Sequence, residues 1–312
     1  IRDRSSIEEG KFRANVWVGS LNLGDCYNFY LLSLLSGKNV QKNKLGKMLC
    51  AVGSIAGAKC DVVWGSGKID NSPAKGTLTK EVYAMRGPDT RSFFPSLLPE
   101  VYGDPGLLVP LLYPLPSHEK NETVDLCLIP HYIDQNLPPI KDAIRRVGNT
   151  TVTIRLINIQ TCDLQNYITD MKGCKRILSS SLHGLIFGVA NGIPGIRMIL
   201  SDKVHGNHFK FKDFYKGIRH PELYVYEDLR GITELPFETM ISVFERKNVT
   251  APAINVEDLW NVNPVHAEAM GTSREDHVAF AQSYITNLAQ EYPHPAYKKL
   301  YLKSDGKVGA LR

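Results

Sequence analysis

The sequence is 312 residues long and 43% hydrophobic, with Lys+Arg 37 against Asp+Glu 32 for a formal net charge of +5. That length exceeds the usual single domain, so two domains are expected. The modest, diffuse positive excess suits an enzyme of acidic small molecules or a protein near an anionic membrane surface, and argues against nucleic acid as a partner.

In chain order, Ala14 to Val18 reads as a strand, followed by the loop Gly19 to Asp25 and a helix from Cys26 to Leu35 with Gly37 just past its end. Further strands are predicted at Lys47 to Val52, Asp61 to Trp64 and Glu81 to Met85, each running into a glycine-containing loop. After the apolar stretch Leu107 to Leu112 comes Tyr113 to Asn121, proline-rich and then polar, which reads as a linker. The alternation then restarts, with strands at Asp125 to Ile129, Val152 to Leu156, Arg176 to Leu178 and Ile196 to Leu200. Helices are expected between them at Ile140 to Arg146, Asp163 to Lys172 and Leu182 to Asn191. Ser273-Arg274-Glu275-Asp276 caps a last amphipathic helix, expected to pack back on the first domain. The expected division is an N-terminal α/β domain at 1–116, a C-terminal α/β domain at 122–272, and a helix and tail at 273–312. Mostly parallel sheets built this way bind ligands at the carboxyl ends of their strands, so the cleft between the domains is the expected site.

The six cysteines, at 26, 50, 60, 127, 162 and 174, form no CxxC pair and no Cys/His cluster, so structural zinc is not expected. Most sit in apolar or helical surroundings, where a free cysteine acts as a small buried hydrophobe. They read as free thiols in a reducing compartment, which points to the cytoplasm. No apolar run approaches the roughly 18–20 residues that span a bilayer, although peripheral membrane association fits the charge. The chain starts at Ile1 without a methionine, so a removed N-terminal signal would place it in a secretory lumen instead. Sequons at Asn121, Asn149 and Asn248 arise often by chance and do not by themselves establish secretion.

The most informative segment is Arg176 to Phe187, where an apolar strand end runs through Ser179-Ser180-Ser181 into Leu182-His183-Gly184 and an apolar helix. The free N–H groups and positive dipole end of such a helix suit an anion, and a histidine beside them can donate to a phosphate or move a proton. The bland alternative is a serine-capped junction with a histidine that only packs. Asp25 after Asn22-x-Gly24 is either a helix cap or a base facing the cleft. Trp64 is either core or a sugar-stacking face; Arg86 at a strand end is either an ion pair or a guanidinium fork for an anion. His131 and Asp134 could pair as an oriented donor or form an ordinary loop contact, and Lys210 and Lys212 could form a basic wall or a solvated face.

In this order, Asn22-Leu23-Gly24-Asp25, Val52-Gly53-Ser54-Ile55, Val63 to Gly67, Met85 to Pro88, Tyr102 to Gly106, Ile129 to Asp134, Ile177 to Ile186 and Phe209 to Phe214 resemble the polysaccharide pyruvyl transferase family across roughly residues 15–218. The resemblance implies two Rossmann-like α/β domains facing across a cleft, as in glycosyltransferase-B folds. It implies phosphoenolpyruvate as co-substrate, with no separate cofactor and no metal. The implied acceptor is a terminal hexose of a polysaccharide, oligosaccharide or lipid-linked glycan, and the products are a cyclic pyruvate ketal and phosphate. It carries donor binding onto Arg86 and His183, with the Leu182 backbone beside the phosphate. Around these, Ser180, Ser181, Gly184, His131, Lys210 and Lys212 complete the expected donor set. His183 and Asp25 are the expected catalytic pair, and Asn22, Asp25 and Trp64 the expected acceptor side. Some relatives carry an arginine where this chain has Ser181, so the missing charge falls to Lys210, Lys212 or the helix dipole. Two other activities fit the same architecture: a nucleotide-sugar glycosyltransferase and a catalytically silent glycan-binding protein.

Overall fold

The computed structural model describes residues 11–17, 19–42, 48–56, 60–73, 81–94, 100–112 and 123–265. The expected linker at Tyr113 to Asn121 and the helix expected after Ser273 lie outside the described residues.

The first half contains β1 (Lys11–Ala14), α1 (Leu23–Ser36), β2 (Asn39–Lys42), β3 (Leu49–Cys50), β4 (Val62–Trp64), β5 (Glu81–Ala84), α2 (Pro88–Arg91) and α3 (Val109–Leu112). The second contains β6 (Leu126–Ile129), α4 (Pro138–Arg146), β7 (Ile154–Leu156), α5 (Leu164–Met171), β8 (Ile177–Ser179), α6 (Leu182–Ala190), β9 (Gly195–Ile199), α7 (Phe209–Gly217), β10 (Tyr226–Asp228) and α8 (Phe237–Arg246), followed by α9 (Glu257–Asn261). Two five-stranded sheets result, in the orders β2-β1-β3-β4-β5 and β10-β9-β8-β6-β7. Every strand pairing is parallel. A parallel sheet covered by helices buries both faces, which is why β6, β8 and β9 are buried throughout.

The strand order reverses direction once in each sheet. In the first, β2 lies on one side of β1 and β3 on the other; in the second, β7 and β8 flank β6 in the same way. Loops leaving adjacent strands at such a point diverge to opposite faces and open a crevice at the carboxyl ends.

Two element boundaries differ from expectation for physical reasons. The first strand ends at Ala14, and Trp17 of the apolar run beyond it is 54% exposed. The edge strand β2, Asn39-Val40-Gln41-Lys42, carries one apolar residue among polar ones, so no hydrophobic alternation marked it.

Four kinds of contact join the halves among the described residues. A continuous apolar core runs from Ala14, Val16 and Tyr27 in the first half to Ile129, Ile177 and Phe187 in the second. The Tyr27 and Phe187 rings meet edge to face at 5.6 Å. Arg86 and Asp213, both 0% exposed, form an ion pair between the end of β5 and α7, with Nε donating to Asp213 Oδ2 at 3.0 Å. Cys26 of α1 is disulfide-bonded to Cys162 ahead of α5. The chain itself returns as well: Trp64 Nε1 donates to the Leu259 carbonyl at 3.0 Å, so α9, inside the range expected for the second unit, packs on the first.

The reading of the cysteines as free thiols is corrected. Cys26–Cys162, Cys50–Cys60 and Cys127–Cys174 are disulfides with Cα separations of 5.4, 5.8 and 5.8 Å, and no cysteine is free. Partners 136 and 47 residues apart in sequence carry no spacing signal, because the fold alone brings them together. Among the described residues no helix is long and apolar enough to cross a membrane.

Asp213→Ala leaves the Arg86 guanidinium buried without its counter-ion and is expected to cost about 3–5 kcal/mol of stability, read as a lowered urea midpoint. Cys162→Ser is expected to cost about 2–5 kcal/mol in the same assay, and reductant is expected to destabilise the parent chain but to have a smaller effect on this variant.

Candidate active site

A cavity of about 310 Å³ lies where the two strand-order reversals face each other. Its walls come from both halves: Trp17, Asn22, Asp25, Ser54, Ile55 and Ile69 from the first, and His131, Tyr132, Ile133, Ser181, Leu182, His183, His205 and Lys210 from the second. Asn22 and Asp25 follow β1 and Ser54 follows β3, while His131 follows β6 and Ser181 to His183 follow β8. These are the loops on either side of each reversal.

On the first side Asn22, not Asp25, caps α1: its Oδ1 accepts the Gly24 N–H at 2.9 Å. Asp25 sits in the first turn with its carboxylate on the cavity wall. Gly24 has a steric role, since a Cβ there would lie 2.0 Å from His183 Nδ1. The imidazole of the second half therefore lies directly against the α1 backbone. A Cβ on Gly53 (φ +101) would be 3.7 Å from Asp25 Oδ1 and 3.9 Å from His183 Nε2, so the two expected catalytic side chains converge on the same loop. That loop is held by buried Asp104, whose Oδ2 accepts from Gly53 N at 3.2 Å; burial pushes this carboxyl up to about 6.

On the second side, Ser179 Oγ accepts from Ser181 N at 3.0 Å and donates to the Ile129 carbonyl at 2.7 Å. Ser180 Oγ accepts from His131 N at 2.8 Å. The serines thus tie the loops after β6 and β8 together, and Ser181 at the N-cap makes no side-chain bond to the helix, leaving the first N–H groups of α6 to the cavity. Gly184 lets α6 sit close to the sheet, since a Cβ there would be 2.4 Å from Ser179 Oγ. His131 Nδ1 accepts from Ile133 N at 3.3 Å, which puts the ring proton on Nε2. The alternative His131–Asp134 pair does not form: Asp134 Oδ1 accepts from Ser201 Oγ at 2.6 Å.

The electrostatics are one-sided. Burial, then Lys210 and Arg86, pulls His183 down to about 3. Burial, then Lys210 and His183, brings His131 to about 3. Lys210, buried on α7, is pulled down to about 7 by burial and by Arg86 and Arg197, against the opposing pull of Asp25 and Asp134. His183 Nε2 is buried and has no hydrogen-bond partner among the described residues. Asp25 is the one carboxylate among the described lining residues. Burial keeps both imidazoles neutral, so the charged groups on the described wall are Lys210 and Asp25, and an anion entering the cavity would favour the protonated forms of Lys210 and the histidines.

Five expected site residues do not line the cavity: Ser180 and Gly184 support the loop that does, and Arg86, Trp64 and Lys212 stand elsewhere. Arg86 is behind the wall: besides Asp213, it donates from Nη1 to Ser54 Oγ at 2.7 Å and from Nη2 to the Lys68 carbonyl at 2.6 Å. Trp64 is 0% exposed in the core, its indole N–H satisfied by Leu259, so it presents no face to a sugar. Lys212 is exposed and does not line the cavity, because it is the immediate neighbour on α7 of Asp213, which turns inward to Arg86, and successive helix residues point about 100° apart.

Trp17 and His205 were missed. Trp17 lay in a run read as strand. His205 lies in the loop after β9, which reaches the first half where Gly206 meets the Ile69 carbonyl; a Cβ at Gly206 would be 2.0 Å from that oxygen. The available signal was position, since both follow the carboxyl end of a parallel strand.

The sequence model of the polysaccharide pyruvyl transferases matches residues 15–202, and both halves of the cavity wall up to His183 fall within that span. An uncharacterised protein of Acanthamoeba polyphaga mimivirus is 29% identical over 212 residues, covering 64% of this chain and 71% of that protein. No solved structure matches the chain. With well over half of its length, and the loops from both strand-order reversals, inside the match, the chain belongs to the polysaccharide pyruvyl transferase family.

Proposed function

We propose that this chain transfers the pyruvate unit of phosphoenolpyruvate onto two hydroxyls of a glycan hexose, forming a cyclic ketal and releasing phosphate, in the cleft of a glycosyltransferase-B-like pair of domains. The observation that carries this reading is the convergence of Asp25, His183 and Lys210 on one small cavity between the halves.

The donor phosphate sits at the N-terminus of α6, on the Leu182 and His183 N–H groups, with the Lys210 ammonium and the His131 Nε2–H beside it. Ser181 leaves room there, and Lys210 supplies the charge that an arginine at that position would bring. Arg86 is a positioning residue, orienting Ser54 and, through Asp213, the helix that carries Lys210.

As the donor's negative charge enters, it raises the affinity of His183 for a proton, which Nε2 hands to the methylene carbon of phosphoenolpyruvate. The central carbon becomes electrophilic; a sugar hydroxyl adds to it as Asp25 takes the hydroxyl proton. The carbon–oxygen bond to phosphate breaks, its electron pair leaving with the phosphate, and a second hydroxyl closes the ketal. Of the two hydroxyl protons, one is balanced by the proton in the new methyl group and the other leaves on hydrogen phosphate.

Trp17 takes the acceptor role expected of Trp64. A Cβ on Gly19 would lie 2.5 Å from the Trp17 ring, so the absence of a side chain there seats the indole, which stays 54% exposed at the cavity beside Asn22 and Asp25. An indole face of that kind stacks on the apolar face of a pyranose.

A nucleotide-sugar donor is separated from this reading by thermal shift. Phosphoenolpyruvate at about 100 times its Kd should add roughly 2.7 kcal/mol of stability, and nucleotide sugars should add none. Asp25→Asn is expected to lower kcat about 10²–10⁴-fold with unchanged folding, and unchanged turnover would remove Asp25 from the mechanism. Gly24→Ala, which displaces the His183 ring, is expected to lower kcat by about 10²-fold without loss of helix content. Because only the ammonium form of Lys210 attracts the donor, donor affinity should weaken as pH rises above about 7, and Lys210→Met should abolish that limb in a calorimetric titration. Trp17→Ala should raise the acceptor KM about tenfold, equivalent to about 1.4 kcal/mol, with the donor KM unchanged.

A further inference from the structure

We infer that this chain matures in an oxidising secretory lumen and carries N-linked glycans on Asn149 and Asn248. All six cysteines are paired, and one pair joins the two halves of the molecule. Such a set persists where thiols are not continuously reduced. The two sequons are a separate observation.

Asn149-Thr150-Thr151 lies in the loop between α4 and β7, and Asn248-Val249-Thr250 directly follows α8; both asparagines are exposed. Neither side-chain amide makes a hydrogen bond among the described residues, so each is available to a transferring enzyme. The two sites share one end of the second sheet. Thr151 Oγ1 donates to Glu238 Oε1 at 3.0 Å, and Arg176, just ahead of β8, reaches Glu245 near the end of α8 at 3.6 Å. This is the amino end of the parallel strands. The cavity lies at their carboxyl ends, where β6 runs into His131 and β8 into Ser181. Glycans on this face leave the cleft open.

In each modification the asparagine Nδ2 forms a bond to C1 of a lipid-pyrophosphate-linked oligosaccharide. The C1–oxygen bond to the pyrophosphate breaks, and the amide proton leaves to the transferring enzyme. The six thiols pass six electrons and six protons, through thiol–disulfide exchange, to a disulfide-bearing oxidase.

The test uses the native protein captured from the cells that make it. Maleimide labelling of the denatured chain should modify no cysteine before reduction and six after it. In an Asn121→Gln background, N-glycosidase treatment should collapse two mobility steps and leave aspartate at positions 149 and 248 by peptide mass spectrometry. Asn149→Gln and Thr151→Ala should each remove the same step, and Asn248→Gln and Thr250→Ala the other, with catalytic constants unchanged. Thiols reactive before reduction would overturn the compartment. An unmodified Asn149 or Asn248 would overturn the assignment of that site. The outcome is independent of the transfer chemistry.

Discussion

The buried Arg86–Asp213 pair is the constraint on which the geometry between the halves depends. Two charges with no solvent exposure must be fully satisfied, and here the guanidinium reaches Asp213, Ser54 and the Lys68 carbonyl while Asp213 also accepts from the Thr90 N–H and hydroxyl. Those partners belong to the loop after β3, the loop after β4, α2 and α7. Gly87 and Gly217 admit the contact, since a Cβ at either would fall within about 2 Å of a backbone carbonyl oxygen on the other element. One ionic node therefore fixes the helix that carries Lys210 against the loop that carries Ser54.

The same node shapes the cavity's electrostatics. Arg86 is neutralised locally by Asp213, yet it still contributes to the depressed proton affinity of Lys210 and His183. Burial makes charging either histidine, and to a smaller extent Lys210, costly in the empty protein. An anion in the cavity would lower that cost. The Cys26–Cys162 bond works beside it. It anchors the residue next to Asp25 to the second half, so the Asp25 carboxylate and the His183 imidazole are held on one frame.

Much of this was legible in the sequence. Parallel α/β architecture and the strands leading to the loops followed from periodicity and caps, because these are local properties; motif order and the family resemblance singled out Asn22, Asp25, His131, Leu182, His183 and Lys210, which the fold brings to one cavity wall. Arg86, Trp64 and Lys212 were misplaced because each motif fits two environments equally well. An arginine at a strand end can bind a ligand or a buried aspartate 127 residues away, and nothing near it in sequence distinguishes them. Trp17 was absorbed into a strand because the apolar run outlasts the hydrogen-bonded ladder.

By itself the sequence determined which loops leave the carboxyl ends of strands, which glycines remove side chains and which helix begins with unpaired N–H groups, since these depend on residues a few positions apart. Only the tertiary structure decided which of those loops meet, that six scattered cysteines form three pairs, and that Asp213 rather than a ligand neutralises Arg86. Contacts between residues more than a hundred positions apart depend on how the two sheets pack, and no local pattern encodes that packing.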